Sequence, residues 1–150
     1  MSTYILSGSR TPSGAFLGQL SSVSAPQLGS ASMQGALKKA DLPKEKIQEV
    51  FMGNVVQAGV GQAPARQAAI NAGLPESVPC TTINKVCGSG LKTIISGAQT
   101  IAAGDNQLVM AGGMENMSQA PHLLPNSRKG FKFGPTEMKD ALQWDGLWDV

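Results

Sequence analysis

Cys87 stands in the run Thr82-Ile83-Asn84-Lys85-Val86-Cys87-Gly88-Ser89-Gly90-Leu91, where a β-branched stretch gives way to a helical pattern. A helix start offers backbone N–H groups without intrahelical partners and the positive end of the macrodipole. Together these favour a thiolate and can hold a developing oxyanion. Gly88 and Gly90 leave Cys87 uncovered, so a carbonyl can approach the sulfur and the backbone N–H groups of Cys87 and Gly88. The chemistry this suits is nucleophilic catalysis through a covalent acyl-cysteine.

A cysteine in an apolar region is ordinarily a small core hydrophobe. The residues that follow decide against that here. Leu91, Ile94, Ile95, Ala98, Ile101 and Ala102 recur at helical spacing, which predicts a buried helix with Cys87 at its N-terminal rim. Pro79-Cys80-Thr81-Thr82-Ile83 reads as the strand that feeds it, with Cys80 packed inside. Strand, sharp glycine turn and helix is also the geometry that exposes the serine of hydrolase elbows.

The 150 residues suffice for one domain with a real core, and 41% hydrophobic content supports a globular fold. Twelve basic and ten acidic residues, net charge +2, are spread along the chain and leave no footprint for nucleic acid. The short cluster Arg128, Lys129 and Lys132 reads as a solvated loop. Two cysteines seven residues apart and one histidine match no metal-ligand spacing, so no metal is expected. The start, Met1-Ser2-Thr3-Tyr4-Ile5-Leu6-Ser7, has neither a basic n-region nor an apolar h-region, and no stretch reaches bilayer-spanning length. The expectation is a cytoplasmic protein without a membrane partner.

Alternating strands and helices predict an α/β architecture. Tyr4 to Ser7 reads as a first strand. Ser24 caps a helix entered through Ala25-Pro26, with Leu28, Ala31, Ser32, Gly35 and Ala36 on its sheet side, ending near Lys38-Lys39. Glu49 to Val56 is uniformly apolar enough for a covered strand. Pro64 to Asn71 is a helix stopped by Gly73, Gly104 ends the cysteine helix, and Gln107 to Ala111 is another buried strand. Gly59-Val60-Gly61-Gln62 is a plain turn, lacking the lysine of a phosphate loop and the third glycine of a dinucleotide fingerprint. From Gly112 the chain becomes irregular to Pro135, with Met138 to Trp144 helical; such a connection is usually functional or an inserted subdomain. Met114 and Met117 read as gap-filling core.

Several segments coincide in order and spacing with one family. Arg10-Thr11-Pro12, Gly61-Gln62-Ala63-Pro64-Ala65-Arg66-Gln67, Thr82 to Leu91, Ala111-Gly112-Gly113-Met114-Glu115-Asn116-Met117-Ser118 and Asp145-Gly146-Leu147-Trp148-Asp149 together resemble the thiolases. The last segment is more like the biosynthetic acetoacetyl-CoA branch than the long-chain 3-ketoacyl branch. The resemblance implies the N-terminal half of a thiolase-like fold, layered α/β/α around a buried mixed sheet. Residues 3–112 would form the α/β domain, incomplete, and 113–150 the start of an inserted loop domain.

The same resemblance implies a chemistry. Cys87 would take an acetyl group from one acetyl-CoA, and the carbanion of a second would attack it to give acetoacetyl-CoA and CoA, reversibly. Coenzyme A thioesters would be substrates, with no cofactor bound permanently. The family's bases, two histidines and a further cysteine of the C-terminal half, have no counterpart in residues 1–150, so the chain alone is expected to be inactive. His122 stands where the family has no catalytic residue and reads as a structural or surface histidine. Leu147 and Trp148 line the acyl pocket or serve as apolar anchors. The family assembles as dimers or tetramers, through the first half and the loop segment that here includes Ser127 to Gly134. Two alternatives stay open: a 3-ketoacyl-CoA thiolase or related condensing enzyme such as a ketoacyl synthase, and a non-catalytic fragment acting as an assembly surface.

Overall fold

The structure, a computed structural model, describes residues 2–149. Its centre is a sheet of β1 (Glu49–Gly53), β2 (Cys80–Ile83) and β3 (Val109–Gly113) in the order β2-β1-β3, with both pairings parallel. Alternate residues of β1 face opposite layers. Val50 and Met52 enter the core with α1 (Ala25–Ala40) and α2 (Pro64–Asn71), while a Cβ on Gly53 would strike α3 (Ser89–Ala103). The arrangement is therefore α/β/α, with β1, buried on both sides, as its spine. The sheet is parallel throughout among the described residues. The expected antiparallel component occurs only in a separate two-residue pair, β4 (His122–Leu123) with β5 (Lys139–Asp140).

The first helix begins where Ser24 predicts. Ser24 and Gln27 form a reciprocal capping box and Pro26 occupies the first turn. Its buried face is Ala25, Gly29, Ser30, Met33 and Leu37, however, because α1 packs mainly on α2 rather than on the sheet. The expected face of Leu28, Ser32 and Ala36 instead borders a cleft of about 680 Å³ between α1, α3 and the outer edge of β3.

Tyr4 to Ser7 forms no strand. This segment lines the cleft with Tyr4, Ile5 and Leu6 exposed, anchored by Ser7 Oγ donating to Ala36 O at 2.7 Å. The open edge of β3 lies on the cleft's other wall, unpaired with this segment, and local strand propensity alone makes no sheet.

The cysteine helix has the expected ends, but its packing is inverted. Ser89, Thr93 and Gly97 are buried, while Leu91, Ile94 and Ile95 are exposed. The helix approaches the sheet too closely for large side chains. A Cβ on Gly97 would lie 2.8 Å from Val109 Cγ2, and Thr93 Oγ1 donates to Gly112 O at 2.8 Å. Met138 to Trp144 is β5 followed by a π-helical turn, Leu142–Leu147.

Candidate active site

The elbow carrying Cys87 turns on a left-handed valine. Val86 has φ 47°, a conformation that costs an L-residue about 1–2 kcal/mol. Hydrogen bonds on both sides of it offset that cost. Asn84 Oδ1 accepts the Val86 N–H at 3.0 Å, and the Val86 carbonyl accepts from Ser89 Oγ at 2.6 Å and from the Ser89 N–H at 3.1 Å. Ser89 Oγ in turn accepts the Lys85 N–H at 2.8 Å. The outcome is an exposed Cys87 immediately before α3. The Gly88 N–H, expected to serve as an oxyanion donor, is engaged by Lys85 O at 3.0 Å; the Cys87 N–H has no acceptor among the hydrogen bonds of the described residues.

Cys87 opens onto a cavity of about 390 Å³. Gly53, Gly90 and Gly113 line it with main chain, because β1, β3 and the start of α3 meet there. A Cβ on Gly53 would lie 2.7 Å from Ser89 Cβ, and one on Gly113 would lie 3.3 Å from Gly90 Cα. Val86, Met117, Leu142 and Leu147 give the walls an apolar character; Leu147 is on the cavity although 63% exposed. Trp148 lies outside it, stacked on Trp144 at 6.4 Å, with Lys139 Nζ 3.4 Å from the Trp144 ring centre.

Sequence reasoning passed over Asn54 and Glu115, the polar corner of this cavity. Glu115 Oε1 accepts from Asn54 Nδ2 at 2.7 Å, and Oε2 accepts the N–H groups of Val55 at 2.8 Å and Val56 at 3.3 Å. Burial pushes the Glu115 carboxyl above its ordinary range, and these hydrogen bonds oppose the rise without cancelling it. Asn54 is 1% exposed, and its Oδ1 has no donor among the described residues. The signal available in the sequence was position. Glu115 falls just beyond the C-terminal end of a parallel strand, where open α/β sheets gather their sites; that strand, expected to be buried, is only half-buried because it forms the edge of the sheet along the cleft.

The remaining candidates lie elsewhere. His122 is exposed on β4 and does not border the cavity. Cys80 is half-buried; its Sγ donates to Val78 O at 3.4 Å, and burial raises the thiol against the opposing influence of Arg66. Met114 is core, as expected, whereas Met117 is 48% exposed and lines the cavity. Arg128, Lys129 and Lys132 are solvent-exposed. Asn116 is architectural, donating to the carbonyls of Leu20, Ser21 and Val23 ahead of α1.

Comparison with known proteins places this geometry. Residues 3–150 match the family described as thiolase, N-terminal domain. The chain is 54% identical over 146 residues to an acetyl-CoA acetyltransferase of Cupriavidus necator, covering 97% of this chain and 37% of that protein. It is 55% identical over 146 residues to a cytosolic acetyl-CoA acetyltransferase of Gibberella zeae, with the same coverage. The fold matches the crystal structure of Acat5 thiolase from Ascaris suum in complex with coenzyme A, with a TM-score of 0.92 and 46% identity over 95% of this chain and 37% of that one. The chain thus spans 37% of the length of these relatives.

Proposed function

The chain belongs to the thiolase family, matching its N-terminal domain, and from that premise we propose that Cys87 is the acyl-carrying nucleophile of an acetyl-CoA acetyltransferase. The Cys87 sulfur attacks the thioester carbonyl of acetyl-CoA, and the Cys87 N–H faces the oxyanion that forms. Collapse breaks the carbonyl–sulfur bond to CoA, which leaves with the cysteine proton as free thiol. Transfer between two sulfurs is nearly isoenergetic, so acetyl-Cys87 is neither trap nor barrier. A second acetyl-CoA then loses an α-proton, and its carbanion attacks acetyl-Cys87 and expels the thiolate, giving acetoacetyl-CoA. Coenzyme A thioesters are thus substrates rather than resident cofactors.

The observation that carries this reading is the exposed Cys87 on a strained elbow, opening onto an apolar cavity floored by glycine. Relatives named acetyl-CoA acetyltransferase and a coenzyme A-bound thiolase support the substrate class. Cys87 and Glu115 are the titratable side chains on the cavity among the described residues, and Glu115 already accepts three hydrogen bonds. The base for the condensation step is therefore assigned to groups outside residues 2–149.

Intact-mass spectrometry after incubation with acetyl-CoA tests the first half-reaction. One acetyl adduct that persists in Cys80→Ala and vanishes in Cys87→Ala is expected; an adduct on Cys80, or none on folded protein, refutes the assignment.

The rest of the reading follows the same premise. Residues 3–112 form the α/β domain and 113–150 open the loop domain, and the protein acts in the cytoplasm. The exposed apolar residues of α3 and the exposed Phe131 and Phe133 between β4 and β5 support a homo-oligomer. Gel filtration against mass distinguishes it from a monomer.

A further inference from the structure

The chain of contacts that holds Val86 begins at a half-buried carboxylate. Glu115 accepts two main-chain N–H groups and one side-chain amide from the loop after β1. That loop presents Val55 O to Asn84 Nδ2 at 3.4 Å, and Asn84 Oδ1 accepts the Val86 N–H at 3.0 Å. We propose that Glu115 is a positioning residue for the Cys87 thiol, acting through Val55, Asn84 and Val86. The proposal rests on the reading of Cys87 as the acyl-carrying nucleophile.

Three features carry it. First, the carbonyl of Val86 is held by Ser89, but its N–H is held by Asn84 alone. Asn84 is exposed, so its amide is oriented chiefly by its hydrogen bonds. Beyond Val86, the group that its amide meets is Val55 O, at a long 3.4 Å. Second, Val55 is fixed by a charge-assisted bond at 2.8 Å from its N–H to Glu115, the stronger kind of hydrogen bond. Third, the corner is costly in a way that filling space does not require. It buries much of a carboxylate and leaves Asn54 Oδ1 without a donor, whereas apolar side chains could fill it without either penalty.

The reactivity of Cys87 toward iodoacetamide reads the proposal directly. Alkylation tracks thiolate character and access; Cys87 is already exposed, so a displaced elbow can only weaken its alignment with the helix start. Rates are followed by intact mass with peptide mapping, with half-buried Cys80 as the internal reference. Glu115→Gln keeps the shape but replaces one acceptor oxygen with a donor, and slows Cys87 by about threefold to tenfold. Asn84→Ala, at an exposed position outside the core, slows it to a similar extent. In the double variant the losses do not multiply: it reacts as slowly as the slower single variant, because both break the same line.

A merely structural glutamate would lower the melting temperature and leave the Cys87 rate where it was. An unchanged or faster rate in Asn84→Ala, or losses that multiply in the double variant, overturns the proposal. Acetyl-CoA, used separately, tests the underlying reading. Failure of the parent to take up an acetyl group while the alkylation pattern holds would refute acyl transfer and leave the relay standing.

Discussion

Gly53 is the residue on which the cavity floor and the fold depend together. In Gly53→Ala the new Cβ falls 2.7 Å from Ser89 Cβ, 2.8 Å from Ser89 C and 2.9 Å from Gly90 N. Two of these three are main-chain atoms of the first turn of α3, so no rotamer change relieves the contact. The helix start must retreat until the distances approach an ordinary 3.4 Å. Overpacking of this kind costs about 1–3 kcal/mol. The lower entropy of an unfolded alanine returns roughly 0.4–1 kcal/mol. A net loss of about 1–2 kcal/mol lowers the melting temperature by about 2–8 °C in a domain of this size.

The same displacement moves Cys87 away from the geometry that attack requires, so acetylation by acetyl-CoA slows by roughly tenfold or more. Gly97→Ala is the control. It lies two turns further along α3, and its Cβ meets a side-chain atom of β3, Val109 Cγ2, at 2.8 Å. It should lose comparable stability while keeping most of the Cys87 reactivity. Melting curves and acetylation rates on the two variants decide. A Gly53→Ala protein that melts and reacts like the parent would refute the claim that glycine sets the distance between helix and sheet.

Gly104→Ala tests conformation without packing. Nothing lies within 4 Å of its Cβ position, but φ is +88°, so a loss of about 1 kcal/mol in denaturant unfolding is expected, with Cys87 unaffected. Ser24→Ala removes the hydroxyl half of the capping box on α1 and costs about 0.5–1 kcal/mol by the same assay, at the low end for such caps because Ser24 Oγ accepts the Gln27 N–H at a long 3.4 Å. Glu115 makes stability depend on pH. Its folded pKa is raised, so between the ordinary glutamate range and that raised value the native state binds more protons than the unfolded one. Its contribution is therefore full below the ordinary range and is lost as pH rises through the raised value. Melting temperatures measured across that window should fall less in Glu115→Gln than in the parent.

Punctuation made much of the fold legible. Pro64 and Gly73 bound α2, Ser24 with Pro26 starts α1, and Gly104 ends α3. What misled was the rule that the most apolar stripe of a helix points inward. On α3 the inward stripe is Ser89, Thr93 and Gly97, because closeness to the sheet, rather than hydrophobicity, selects that face. Tyr4 to Ser7 carries strand-like residues but does not pair with the open edge of β3 across the cleft, and pairing is not a local property. In the site, the elbow could be read from a contiguous run. Asn54 and Glu115 could not, since a carboxylate that bonds main chain some 60 residues away leaves no periodic trace.

The inversion of α3 bears on how the site works. The small inward face fixes the distance from helix to sheet and so places Cys87 over a floor of bare main chain. The large outward residues, Leu91, Ile94 and Ile95, begin one turn after Cys87 and stand at 65%, 42% and 44% exposure. Covering such side chains is worth up to about 1.5–3 kcal/mol each. A surface laid over them would also border the mouth of the cavity, because Leu91 follows Cys87 by a single helical turn. The apolar gain that drives such a contact would then exclude water from the thiol as well. Hydrogen bonds to a developing oxyanion are strongest in a site closed to solvent. Under the proposed reading the two faces of one helix divide the work: the inner sets the position of Cys87, and the outer offers the apolar surface whose covering would enclose it.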